Sequence, residues 1–156
     1  MSAHPASARL ARWQVLLLAG SGGALWCSGI AWLLLHHLWQ LQGPYGPEVN
    51  PGEPWMLRTH GAAVLGFVLG VGSLTAIHFV QGWHNRRQRW IGLGLLLLAG
   101  ALGVSGYLLY YVADEDARQW ISVLHWVAGI PALPLFLWHY RRARRLRRRA
   151  RPEGPT

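Results

Sequence analysis

WIGLGLLLLAGALGVSGYLLYYV, residues Trp90 to Val112, decides the fold. Apart from tyrosines it holds no ionisable side chain. At about 1.5 Å of rise per residue it is long enough, as a helix, to cross a hydrocarbon core about 30 Å thick. A soluble amphipathic helix would break such a run with a charge every few residues. Three further segments read the same way: Trp13 to Trp39, Met56 to Val80 and Trp120 to His139, with Arg58 and Arg118 only at the edges. The first has the charged start of a signal peptide (Arg9, Arg12) and small residues at Ala19-Gly20-Ser21. Its apolar run far exceeds the 7–15 residues or so of a signal-peptide core, so an uncleaved span is expected.

The rest of the chain agrees. With 52% hydrophobic and 13% charged residues in 156, disorder is excluded. The single Cys27 excludes an intrachain disulfide scaffold. Ten Trp and nineteen Gly suit membrane helices, Trp at the interfaces and Gly where helices approach closely. All fifteen basic residues are Arg; thirteen lie in the N-terminal segment, the Gln81–Arg89 loop and the tail from Arg141, while five of the six acids lie in the loops Gln40–Trp55 and Ala113–Gln119. The positive-inside rule then puts both termini in the cytoplasm. The expected fold is all-α: an integral membrane four-helix up-down bundle, with a cytoplasmic N-terminus at 1–12, a transmembrane domain at 13–140 and a basic cytoplasmic tail at 141–156.

The tail, RRARRLRRRAR, has the charge of a phosphate-binding run. No nucleic-acid-binding motif accompanies it. Stop transfer and attraction to the anionic leaflet account for it, so the expected partner is the lipid bilayer and not nucleic acid.

Six of the eight histidines fall within or at the edges of the spans: His36, His37, His60, His78, His125 and His139. Ionisable groups at such positions are a functional hypothesis by default. On helix two, His60 and His78 are separated by roughly 1800°, and on helix four His125 and His139 by roughly 1400°, so each pair shares a face. Each helix thereby offers one imidazole per leaflet, and two facing imidazoles are what a haem iron takes at its axial positions. The axial spacings, about 27 Å and 21 Å, differ; tilt and a kink at Pro131 and Pro134 are expected to absorb part of this. Covalent c-type attachment is excluded, because Cys-x-x-Cys-His is absent. A compact zinc or copper site is disfavoured by ligands lying a leaflet apart. His4 and His84 sit in polar segments, where solvation suffices to explain them. Glycines at 61, 66, 70, 72, 100, 103, 106 and 129 would thin the helices for a macrocycle or simply for packing. Arg58 and Arg118 at the outer end, with Arg86, Arg87, Arg141 and Arg142 at the inner, are candidates to pair with propionates.

LRTHGAAVLGFVLGVGSLTAIHFVQGW, RRQRWIGLGLLLLAGALGVSGYLLYY and WISVLHWVAGIPALPLFLWHY together resemble small bacterial four-helix membrane proteins of unassigned function related to the cytochrome b561-like group. The most specific parts are THG in helix two, SGYLLYY in helix three, and HW followed fourteen residues later by His in helix four. The resemblance implies residence in the bacterial cytoplasmic membrane and two haems b, with His125 and His139 as ligands. That group looks to a histidine near the cytoplasmic start of helix one. Here His36 and His37 stand at the opposite end, which leaves His78 as the inner partner.

The expected function is transmembrane electron transfer through a haem b on His60 and His125 and a second on His78 and His139, two per chain being favoured and one allowed. The electron source would be a quinol pool or a periplasmic cytochrome, and a partner oxidoreductase subunit would lie at the other end. His36 or His37 would hydrogen-bond a propionate or accept a proton from quinol. Two rival readings stay open: a haem-bearing membrane anchor of a larger oxidoreductase, and a haem-free assembly or sensor protein whose histidines bridge helices.

Overall fold

The computed structural model describes residues 11–74 and 89–149, the last three by backbone alone. The elements are α1 (Arg12–His37), β1 (Leu41–Gly43), β2 (Gly46–Glu48), α2 (Glu53–Leu74), α3 (Arg89–Tyr111) and α4 (Glu115–Arg149). All four helices are long and apolar enough to cross a membrane, α4 over Glu115–Leu146. The chain is a multi-pass membrane protein, and its helices carry their apolar side chains outward: Leu65 is 71% and Leu97 65% exposed, and among the described residues no large hydrophobic side chain is buried. Surface of this kind is stable only against lipid or other protein.

The chain divides into two compact units, Met1–Arg86 and Arg87–Thr156. In the first, α1 and α2 form an antiparallel hairpin. Gln14 Nε2 donates to the Ser73 carbonyl at 3.3 Å at one end, and His36 meets Glu53 at the other. Between them the helices approach closely through small residues. A Cβ on Gly70 would stand 3.4 Å from Leu18 Cα, and one on Gly66 3.2 Å from Ser21 Cβ. This is the small-xxx-small packing that brings membrane helices together without a hydrophobic driving force.

The loop expected between the first two spans carries a short antiparallel hairpin, Leu41 pairing with Glu48 and Gly43 with Gly46. Gly46 has φ of 126°, a conformation that L side chains rarely adopt. Asn50 then organises the start of α2: its side chain donates to the Trp39 carbonyl at 3.0 Å and accepts from the Gly52 N–H at 2.9 Å.

In the second unit, α3 and α4 are joined by three residues. Asp114 caps α4, its Oδ1 accepting the Ala117 N–H at 2.8 Å, and Glu115 and Asp116 occupy the first turn. Acids here satisfy orphan donors and complement the helix dipole. The acidic loops thus have a local structural use besides the topological one. α4 passes through Pro131 and Pro134 as one helix, so any bend they introduce lies within a continuous element.

Candidate functional site

His60 projects from α2 onto α1, where its Nδ1 lies 3.0 Å from Ser28 Oγ. Ser28 is 4% exposed, and its Oγ is also 2.6 Å from the Ala24 carbonyl of its own helix. A hydroxyl carries a single proton. With that proton given to the carbonyl, Oγ can only accept from the ring, which fixes the neutral imidazole as the Nδ1–H tautomer and puts the basic lone pair on Nε2. Gly29 makes room for the ring: a Cβ there would sit 3.4 Å from His60 Cε1.

The second unit holds the same arrangement. His125 Nδ1 on α4 lies 2.8 Å from Ser105 Oγ on α3, which also faces the Leu102 carbonyl at 3.2 Å. Gly106 faces His125 Cε1 at the same 3.4 Å. Ser105 and Gly106 open the SGYLLYY segment. Neither serine was singled out from the sequence as a partner of histidine. Each of these serines precedes a glycine, but so does Ser21, so the Ser-Gly dipeptide does not by itself mark a histidine partner.

His139 lies on α4 after His125, with its Nδ1 buried. His78 falls outside the described residues, as do His4, His84, Arg86 and Arg87. Of the expected inner pair, only His139 lies among the described residues. Among the described residues, no three His, Cys, Asp or Glu side chains gather into a metal-binding cluster.

At the end of α1, His36 stacks on Trp32 with ring centroids 4.6 Å apart, and His37 meets His36 edge-on at 4.9 Å. His36 Nδ1 is 2.9 Å from Glu53 Oε2. Glu53 is a buried carboxylate in the first turn of α2, whereas the sequence reading placed it in a loop and the start of the span at Met56. That nitrogen of His36 is committed to Glu53. Exposed His37 remains the better placed of the two for a ligand at the membrane surface. Arg58 and Arg118 are both exposed, and Arg58 lies over the Trp55 ring at 4.9 Å. Arg89 over Trp90 at 5.3 Å and Arg142 over Trp138 at 5.4 Å repeat that pairing of cation and aromatic face, a combination suited to the polar boundary of a bilayer. Of the glycines considered as haem clearance, Gly66 and Gly70 pack against α1, Gly106 faces His125 and Gly129 faces Leu102, while Gly100 and Gly103 meet nothing within 4 Å among the described residues.

What the fold and these side chains define is a multi-pass helical membrane protein in which each of two hairpins clasps an imidazole through a serine on the neighbouring helix. Comparison of the chain with family models, with curated proteins and with solved structures finds no match, so the chemistry of these residues carries the functional argument.

Proposed function

We propose that this chain is a b-type membrane cytochrome: a four-helix up-down bundle in a bacterial cytoplasmic membrane, both termini in the cytoplasm, carrying electrons between a quinol pool or periplasmic cytochrome and a partner oxidoreductase. His60 and His125 would hold one haem b, and His78 and His139 a second. The observation that carries this reading is the serine bond to Nδ1 of both outer histidines. Histidine that ligates a metal through one ring nitrogen characteristically donates from the other to a fixed acceptor, which orients the ring and raises its basicity. Haem would supply one-electron chemistry; the protein supplies ligands, a dry apolar surround and guanidinium groups for the propionates at Arg58 and Arg118. The resemblance to the cytochrome b561-like group supports the same assignment.

A haem-free protein whose histidines bridge helices is the second reading, and the same bonds favour it, since Ser28–His60 and Ser105–His125 do join neighbouring helices. Purification in detergent from haem-replete cells, followed by a pyridine haemochrome assay, separates the two. Two haems b per chain are expected. No haem would overturn the cytochrome reading, and one would reject the inner site.

A further inference from the structure

The two hairpins are copies of one device. RW at Arg12-Trp13 recurs at Arg89-Trp90, and GALxxSG at Gly23–Gly29 recurs at Gly100–Gly106, all at a constant offset of 77 residues. α1 and α3 begin at the two equivalent arginines. In the second helix of each unit, Trp55, His60 and Ala63 recur as Trp120, His125 and Ala128 with the same internal spacing. The structure repeats the contact as well as the letters: serine Oγ to histidine Nδ1 at 3.0 and 2.8 Å, and the following glycine against Cε1 at 3.4 Å in both units. By the same alignment the counterpart of His139 is Leu74, so the duplication preserves the outer histidines and not the inner one.

We propose that Ser28 and Ser105 are matched positioning residues, each holding the histidine that faces it within its own hairpin as the Nδ1–H tautomer. The tautomer assignment stands on the hydrogen-bond geometry alone; its electronic consequence rests on the cytochrome reading. Serine recurring at a helix interface merely for close packing would need neither the histidine opposite it nor the Oγ–Nδ1 distance. Accepting the Nδ1–H raises the electron donation of the ring, which favours the ferric state of a ligated iron. Removing the acceptor at either copy should therefore raise the potential of that haem.

The test has a haem-free and a haem-loaded arm, both on the full chain. In the haem-free protein, nitrogen-15 NMR of labelled histidine reads the tautomers directly. His60 and His125 should be protonated at Nδ1, and Ser28→Ala and Ser105→Ala should each shift the tautomer balance of the facing ring alone. Protonation at Nε2 in the unaltered protein, or rings unaffected by the alanines, would overturn the proposal. In the loaded protein each alanine variant should show a positive shift in midpoint potential and on the order of 10-fold weaker haem retention. Ser105→Thr, which keeps the hydroxyl at a half-exposed position, should restore both values. Bound haem with unshifted potentials in both alanine variants would also overturn it. Failure of the unaltered chain to bind haem would refute the cytochrome reading while the haem-free arm still decides the role of the serines.

Discussion

The carboxylate of Glu53 lies 2.9 Å from His36 Nδ1 and is the only acidic side chain buried among the described residues. It also accepts the Asn50 N–H at 3.3 Å, so one group ties α1 to the turn that starts α2. Glu53→Ala would leave the imidazole and this N–H without their acceptor. Because the His36 side chain is 44% exposed, water replaces part of the loss. The expected cost is about 1–2 kcal/mol, read from unfolding of the full chain in detergent, with Glu53→Gln costing less than half as much. Equal losses in the two variants would show that a neutral acceptor cannot replace the carboxylate, contrary to this expectation.

Close approach of α1 and α2 is set by Gly66 and Gly70, where added side chains meet Ser21 and the Leu18 backbone. Gly70→Leu should destabilise by about 1–3 kcal/mol or more through overpacking. Gly23→Ala, where a Cβ meets nothing within 4 Å among the described residues, should be neutral to slightly stabilising. The contrast is measured by thermal melts of the two variants in one detergent. Similar losses at both positions would contradict the packing described for the hairpin.

Asp114 closes the first turn of α4 through the Ala117 N–H. Asp114→Ala is expected to cost about 1 kcal/mol and Asp114→Asn only a few tenths, since Asn caps nearly as well. A denaturant titration followed by circular dichroism checks the difference. If both substitutions are silent, the cap has no role in stability.

Orientation can be read by thiol labelling. In a Cys27→Ser background, a Tyr45→Cys variant in the strand hairpin should react with a membrane-impermeant maleimide added to spheroplasts. An Arg145→Cys variant in α4 should react only after lysis. The opposite pattern would invert the proposed topology, and labelling of both from outside would rule out the odd number of crossings between them that the proposed topology requires.

Substitution separates the two proposed haems. His125→Ala should remove the outer haem, and His139→Ala the inner one, each leaving one haem per chain by pyridine haemochrome. Retention of both haems in His125→Ala would remove that residue from the ligand set.

The four helices were legible in the sequence because a charge-free apolar run of that length has no other stable use, and the observed starts fall within a few residues of the expected ones. Glu53 was missed for a local reason. Pro51, Gly52 and Pro54 look like loop punctuation, yet proline is well tolerated in the first turn of a helix, where its missing N–H has no partner to lose. The strand hairpin was hidden by Pro44 and Pro47, which argue against strands. The serine clasps were illegible because a helical serine usually bonds its own preceding turn, as Ser21 does to the Leu17 carbonyl at 2.6 Å. Nothing in the one-dimensional pattern tells that Ser28, 32 positions from His60, has a second partner, or that Ser105, 20 positions from His125, has the same one. The helix continues through both Pro131 and Pro134, so the kink expected there would fall inside one continuous element and would not end it.

α4 runs on as helix for nearly three turns past His139, to Arg149. At about 1.5 Å per residue its whole length is roughly 50 Å, well beyond the roughly 30 Å that a bilayer requires. The arginines up to Arg149 are thus mounted on a stiff shaft continuous with the element that carries His125 and His139. A torque applied to that shaft by a docking protein would be delivered to both imidazoles without a slack joint in between.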